Sequence, residues 1–487
     1  MATIFGEYFG TTFDDFLIHP GRPEEDDLIP DSVNLSSDIC GIRLGAPFFT
    51  AAMRSITGNE LAYAAGKGKM MAVAPRGLTP ERQVEIVRFV RDREIKPGEI
   101  ESETDPEIVY ENDTLGTVLM KTREFGHSNI PVKRKQTAEF VGMFAYKPSK
   151  HDLMDPRTLI TEVMMPFKNA AGSSVMEVCH ENMSDQEIDD FLREREYRFT
   201  PVLDSQGRLS RLVFMQRNEA YKIGAAISTK DWERRADMLV EAGADMIFID
   251  TSDAYTSFSR DVVQEFKKRF TEIPICAGNI VTPEAFEYLA LAGVDAVKVG
   301  MGPGSICSTN EVLGVGAPPF SAIVRVCEKR DSYAEKERYV PVIADGGIKT
   351  TANINVALTH ADGVMGGSMF GCFEESAGQK VMKDGRVVAV RIYGEASKES
   401  FRTSGDMDRY TTPLDGDSLT TFQGVSGLIP YKGRFKPGME VYMKTLREAL
   451  YHAGCANLGE YRKLAVLERL SENAREVAKP HGIQIVE

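Results

Sequence analysis

Three short segments occupy the same place in a repeated unit: Ala242-Gly243-Ala244-Asp245, Ala292-Gly293-Val294-Asp295 and His360-Ala361-Asp362-Gly363. Each stands where a helical stretch closes and an apolar run begins. The flanking sequence reads as strand Ile223–Ser228, helix Asp231–Ala242 and strand Asp245–Asp250, followed by strand Ile273–Ala277, helix Pro283–Ala292 and strand Asp295–Gly300. Strand Val340–Ala344, a helix near Ala352–His360 and strand Gly363–Gly366 follow. Buried apolar runs alternating with helices specify a parallel sheet, because each crossover must lay its helix on a sheet face. The first hundred residues add strands Ala46–Met53 and Met70–Pro75, with helices near Gly58–Gly66 and Pro80–Arg93. Eight strand–helix units suffice to close a sheet on itself, so the expected fold is α/β, a (β/α)8 TIM barrel. A doubly wound open sheet is the alternative; it calls for a Gly-x-Gly-x-x-Gly turn after the first strand, and none stands there.

The stretch 98–218 breaks the pattern. It holds two copies of a helix, a short strand ending in Pro-Val, and another strand. Leu115–Gly126 precedes Asn129-Ile130-Pro131-Val132 and Glu139–Ala145; Ser184–Tyr197 precedes Phe199-Thr200-Pro201-Val202 and Leu209–Met215. A tandem repeat inside a larger fold reads as an inserted domain, leaving 1–97 and 219–487 as the two parts of the barrel. The polar, turn-rich segment 397–427 reads as a flap.

Lys plus Arg number 58 and Asp plus Glu 72, a net charge of −14, which argues against a general binder of nucleic acid or anionic membrane. An anionic small molecule stays open, since backbone N–H groups can hold phosphate locally. Seven dispersed cysteines without a Cys-x-x-Cys pair argue against a disulfide framework or structural zinc. The opening Met1-Ala2-Thr3-Ile4-Phe5-Gly6-Glu7 lacks a basic region followed by an apolar stretch, and no apolar run approaches membrane-spanning length. The expectation is a soluble, cytoplasmic protein.

The segment from Gly300 to Thr309, with three glycines, Ser305 and Cys307, follows a strand directly. In a barrel it therefore lies at the carboxyl face, where active sites are built. Its backbone can nest an anion, and Cys307 can serve as a nucleophile; a glycine-rich turn holding an inert cysteine is the plainer reading. Asp345-Gly346-Gly347-Ile348 and Gly366-Gly367-Ser368 follow two later strands and offer the same N–H groups, with Asp345 suited to ribose hydroxyls. Asp250-Thr251-Ser252-Asp253 ends another strand and suits a second ribose or a helix cap, and Asn279 is a polar residue at the same face.

Taken together with Thr12–Ile18, Pro20-Gly21, Ala277–Thr282 and Gly302–Cys307, these segments resemble the IMP dehydrogenase / GMP reductase family over most of the chain. The inserted repeat looks like that family's tandem CBS (Bateman) module. Arg409-Tyr410 in the flap, with Gln423-Gly424-Val425, is similar to the dehydrogenase branch. The resemblance implies NAD-dependent oxidation of IMP to XMP, the committed step of guanine nucleotide synthesis. It assigns Cys307 as nucleophile, Arg409 as the base for water, and Tyr410 and Thr309 as orienting groups. IMP would be held by Ser305, Asp345, Gly346, Gly347, Gly367 and Ser368, with Glu395, Ala396 and Gln423 at the base. NAD would lie on Asp250, Thr251, Ser252, Asn279 and Gly300. A monovalent cation, K+, would sit on carbonyls of Gly302, Gly304 and Cys307. A homotetramer is implied, pairing into octamers through the repeat module.

Several positions depart from the family pattern. Ala51-Ala52-Met53-Arg54-Ser55 stands where many members have Ser-Pro-Met-Asp-Thr, Asn310 where Arg is frequent, and Ala396 where Gly is usual. The C-terminal Glu-Gly-Gly of the cation site appears as Glu472-Asn473-Ala474. GMP reductases carry a Glu shortly after the Tyr-Gly before the flap; Lys398 aligns there, with Glu399 adjacent. GMP reductase, and a catalytically silent nucleotide sensor, are the competing readings.

Overall fold

The computed structural model describes residues 3–5, 10–23, 28–93, 100–125, 129–146, 148–151, 153–169, 171–195, 197, 199–214, 221–400 and 422–480. The chain divides into two units, Met1–Asp92 with Tyr221–Glu487, and Arg93–Ala220.

The first unit is a closed eight-stranded parallel barrel. Its strands are β1 (Phe48–Thr50), β2 (Met71–Ala74), β3 (Lys222–Ile227), β4 (Met246–Asp250), β5 (Ile275–Ile280), β6 (Ala296–Val299), β7 (Val342–Asp345) and β8 (Gly363–Gly366). Phe49 pairs with Met71 and Ile223 with Ala72, so the chain-distant β2 and β3 are neighbours. Phe49, Met71, Phe248, Ile343 and Met365 point inward as one cluster, while Ile223, Ile247 and Ile249 point outward onto the helices. Both faces of each strand are covered, so these strands read as continuous apolar runs.

The outer helices include α1 (Asn59–Lys67), α2 (Pro80–Arg91), α3 (Trp232–Glu241), α4 (Ser257–Arg269), α5 (Pro283–Ala292), α6 (Pro319–Ala334), α7 (Thr351–Ala357) and α8 (Phe435–His452). Thr79-Pro80 and Thr282-Pro283 start α2 and α5 with a hydroxyl accepting a backbone N–H and a proline in the first turn. Gly293, at φ 99°, ends α5 in the left-handed conformation.

The repeated aspartate also has a structural reason. Asp245 accepts the N–H of Ile223, Asp295 that of Ile275 and Asp362 that of Val342, at 2.8, 2.8 and 2.9 Å. Each carboxylate, standing just before one strand, ties down the start of the strand preceding it. Each is also met by a cation: Arg91, Lys267 and Arg330 respectively.

A hairpin of Ser37–Ile39 and Ile42–Leu44 places Ile39, Ile42 and Leu44 in the inner cluster. After β8, strands Gln379–Lys383, Arg386–Tyr393 and Ser426–Pro430 form an antiparallel sheet. The segment read as a flap thus ends in sheet, since Ser426 pairs with Tyr393.

The second unit holds two similar halves. Strands Val109–Tyr110, Asn129–Lys133, Phe140–Ala145 and Met165–Pro166 accompany helix Leu115–Phe125; Glu101–Glu103, Cys179–His180, Phe199–Leu203 and Leu209–Phe214 accompany helix Asp185–Glu194. In each half the Pro-Val strand runs antiparallel to the strand after it. Among the described residues no helix is long and apolar enough to cross a membrane.

Candidate active site

The loops leaving the carboxyl ends of the strands surround a cavity. Asp250 stands at the end of β4, Asn279 in β5, the Gly300–Thr309 loop after β6 and Asp345 at the end of β7. All of these line the cavity, together with Thr251, Ser252, Gly300, Gly302, Gly304, Gly346, Glu395, Ala396 and Gln423. Residues more than 170 positions apart thus share one wall because parallel strands present all their carboxyl ends on one face.

Cys307 is the one exposed cysteine of the seven. Its thiol lies 3.2 Å from the Thr309 hydroxyl, which donates to Gln423 Oε1 at 3.2 Å. The loop is pinned on both sides of the sulfur. Cys307 N donates to Gly304 O, Ser308 N to Gln423 O and Val425 N to Ile306 O, each at 3.0 Å. The other cysteines are structural: burial pushes the Cys276 thiol well above its usual value, Cys40 and Cys327 to about 12, and Cys372 and Cys455 to about 11. Gly300 makes the loop possible. At φ 148° it lies so close to β7 that a Cβ would come 1.9 Å from Asp345 O.

The cavity floor holds a residue that periodicity and spacing did not single out. Lys298, on β6, is 3% exposed and donates to Asp345 Oδ2 at 2.6 Å, Asp250 Oδ1 at 3.3 Å and Asn279 Oδ1. Asn279 Nδ2 in turn donates to Asp345 Oδ2 at 2.9 Å and to Gly300 O. Arg76, buried after β2, stands 3.8 Å from Asp250. Two cations thus balance two carboxylates, as burial of charge demands. The signal was present in the sequence: a lysine inside the apolar run Ala296-Val297-Lys298-Val299 has no place in a fully buried strand unless it is paired.

A second buried pair, Arg54 with Glu395, stands in the opposite wall, where Glu395 Oε2 accepts Arg54 Nε at 3.1 Å. Glu395 lines the cavity, but its carboxylate is taken up by Arg54. Glu399 is bound by Arg391 at 2.9 Å and is not among the residues lining the cavity.

The remaining expected residues lie around this centre. Ser305 Oγ donates to Ser368 Oγ at 3.1 Å, so loops after β6 and β8 meet through the two hydroxyls expected at phosphate. Gly367 precedes Ser368, its α-carbon facing Met53 and Ala51, and Gly347 packs against Pro303 and Pro319. None of these four is among the residues lining the cavity itself. Arg409 and Tyr410 lie outside the described residues.

The carbonyls expected to hold K+ belong to a loop already closed by hydrogen bonds. Gly304 O accepts the Cys307 N–H, and the Asn310 side chain fills the space beside Gly302 and Gly316. With its amide nitrogen turned inward, Asn310 donates to Met301 O at 3.2 Å and Val315 O at 2.7 Å. Of the three carbonyls expected to hold K+, Gly304 O is thus engaged within the loop.

A neighbouring pocket shares Asp250, Thr251 and Ser252 with the main cavity and continues to Ser228, Lys230 and the exposed ring of Phe258. A ligand held at Asp250 can therefore reach from one pocket into the other.

A family model described as an IMP dehydrogenase / GMP reductase domain matches residues 10–481. Inosine-5'-monophosphate dehydrogenase of Pasteurella multocida is 30% identical over 97% of this chain and 96% of its own. The enzyme of the same name from Tritrichomonas foetus is 28% identical over 94% and 93%. Among solved structures, GMP reductase from Trypanosoma brucei in complex with guanosine 5'-monophosphate superposes with a TM-score of 0.67 at 25% identity, covering 98% of each chain.

Proposed function

The chain belongs to the IMP dehydrogenase / GMP reductase family, and on that premise we propose that it oxidises IMP to XMP with NAD+ as hydride acceptor. The exposed Cys307 thiol, held beside Thr309 and Gln423 in the cavity, carries this reading.

Ser305 and Ser368, with the N–H groups at Gly346, Gly347 and Gly367, take the phosphate, and Asp345 takes the ribose hydroxyls. That places C2 of the base against Cys307, with Gln423, Glu395 and Ala396 along its edge. The Cys307 thiolate adds to C2, forming a C–S bond. Bound along Asp250, Thr251, Ser252, Asn279 and Gly300, NAD+ supplies the hydride acceptor for C2. The substrate is left as a thioimidate on Cys307. Water then adds to C2, loses its proton, and the C–S bond breaks to return the thiolate and release XMP. Arg409 and Tyr410 are assigned to this second step by the family resemblance, with Thr309 orienting the water. No step runs through a monovalent cation. The unit Arg93–Ala220 is assigned as the CBS-like regulatory module, in an enzyme that works as a homotetramer.

GMP reductase is the second reading, favoured by the Trypanosoma brucei neighbour. Lys398 at the position of the glutamate expected for that reaction, with the adjacent Glu399 paired to Arg391 at 2.9 Å, weighs against it. The deciding experiment follows reduced nicotinamide by its near-ultraviolet absorbance. A rise with IMP and NAD+ supports the dehydrogenase; a fall with GMP and NADPH supports the reductase; no change with either pair supports a silent sensor.

A further inference from the structure

Arg54 and Glu395 are 7% and 8% exposed, and their contact is double. Glu395 Oε1 accepts the backbone N–H of Arg54 at 2.6 Å, while Oε2 accepts Arg54 Nε at 3.1 Å. The guanidinium also reaches further along the chain. Nη2 donates to Ser400 O at 3.0 Å and to the Ser400 hydroxyl, which itself donates to Glu395 O at 2.7 Å. The adjacent Ser55 hydroxyl donates to Tyr393 O at 2.9 Å and accepts Tyr393 N at 3.1 Å. Two consecutive residues after β1 therefore grip the segment 393–400 at both ends. The loop after β2 leaves room for the pair only as glycine: a Cβ on Gly77 would lie 2.6 Å from Glu395 Oε2 and 3.0 Å from Arg54 Nε.

The gripped segment forms the cavity wall at Gly394, Glu395 and Ala396. It is also sewn to the nucleophile loop. Gly394 N donates to Val425 O at 3.1 Å, Val425 N to Ile306 O at 3.0 Å and Gln423 N to Ala396 O at 3.2 Å. A shift of this wall is therefore a shift of Gln423 and of the backbone next to Cys307. Arginine suits the task because its planar fork satisfies a carboxylate and a carbonyl at once, which a single ammonium does less well.

We propose that Arg54 is a positioning residue: through Glu395 it sets the spacing between the Gly394–Ala396 wall and the Cys307 thiol, and so the seating of the purine ring between them. This rests on the reading above that the cavity binds a purine nucleotide.

The test compares the wild-type enzyme with Arg54→Met, Arg54→Lys and the double variant Arg54→Met/Glu395→Met. Turnover of IMP by the wild type tests the reaction on its own. Binding of IMP, and separately of GMP, is measured for all four proteins by calorimetry, so the clamp is read whichever reaction the site performs. Arg54→Met is expected to weaken nucleotide binding and lower kcat by roughly tenfold to a hundredfold, the usual cost of an ångström-scale misplacement. The KM for NAD+ stays within about twofold, since that ligand lies on the other wall. The double variant stays as low as the single one, because the clamp is absent from both, and Arg54→Lys is intermediate. Wild-type constants in Arg54→Met, or a double variant restored toward the wild type, overturn the proposal, since restoration would put the loss down to the stranded carboxylate. So does loss of folded protein in both, judged by far-ultraviolet circular dichroism, which would assign the pair to folding alone.

Discussion

Lys298 donates to Asp345 across 2.6 Å at the floor of the cavity, with the two side chains 4% and 19% exposed. The same ammonium stands 3.3 Å from Asp250. One buried cation on β6 thus holds the two carboxylates assigned to the substrate ribose and the cofactor ribose. Lys298→Met is expected to lower kcat/KM for both nucleotides together. Breaking a buried pair costs about 3–5 kcal/mol of folding stability, so the thermal midpoint should fall as well. Initial rates with each substrate varied in turn check this, and a loss confined to one substrate would separate the two subsites.

Cys307 is expected to react with a limiting amount of iodoacetamide at neutral pH ahead of the other six cysteines. It is exposed, whereas burial raises the thiols of Cys40, Cys179, Cys276, Cys327, Cys372 and Cys455. Peptide mapping reads the modified position, and bound IMP should protect it. Cys307→Ala should abolish turnover while leaving nucleotide binding measurable. Retained turnover would remove the nucleophile from the mechanism.

If Arg409 serves only the second half-reaction, Arg409→Ala should leave hydride transfer largely intact and slow hydrolysis. Enzyme mixed with IMP and NAD+ should then accumulate a covalent adduct, seen as added mass on the intact chain, with a burst of reduced nicotinamide followed by a slow steady state. Failure of the burst would place Arg409 in the first step as well.

His360 predicts an acid-sensitive barrel. Its imidazole is 1% exposed, packs edge-on to Phe320 at 5.6 Å and meets the Thr359 hydroxyl at 2.8 Å. Burial and the nearby Arg330 push its pKa from 6.5 down to about 3. The folded state therefore binds fewer protons than the unfolded chain between these values. Stability from this group is complete above pH about 6.5 and falls by up to about 1.4 kcal/mol per pH unit toward pH 3. Burial alone would raise Asp362, but Arg330 and Arg462 outweigh it and hold its carboxyl below the usual 3.8, so its contribution is lost only at still lower pH. Thermal midpoints between pH 8 and about pH 4.5 should decline in the wild type and flatten in His360→Gln. An unchanged slope would put the titrating group elsewhere.

The barrel was legible in sequence because its determinants are local. Apolar runs mark buried parallel strands, Thr-Pro pairs start α2 and α5, and Gly243 and Gly293 sit at positive φ where helices end. Strand ends moved by three residues at most: the strand read as Ala46–Met53 ends at Thr50, that read as Ile273–Ala277 runs on to Ile280, and Asp345, expected just past its strand, is the last residue of β7. The cavity followed from the same logic, because every loop read as chemical follows a strand and so shares one face. Helices α4, α6 and α8 and the sheet after β8 were not singled out in the sequence.

By itself, then, the sequence determined an alternating parallel barrel and a cysteine-bearing glycine loop at its carboxyl face, since helix caps, strand hydrophobicity and turn glycines act over a few residues. Only the tertiary structure decided what neutralises the charges around that loop. It set Lys298 between Asp250 and Asp345, Arg54 against Glu395 across 341 positions of chain, and Glu399 against Arg391 away from the cavity. Charge pairing depends on distance in space, and no periodicity along the chain encodes which buried cation a closing barrel will bring to which carboxylate.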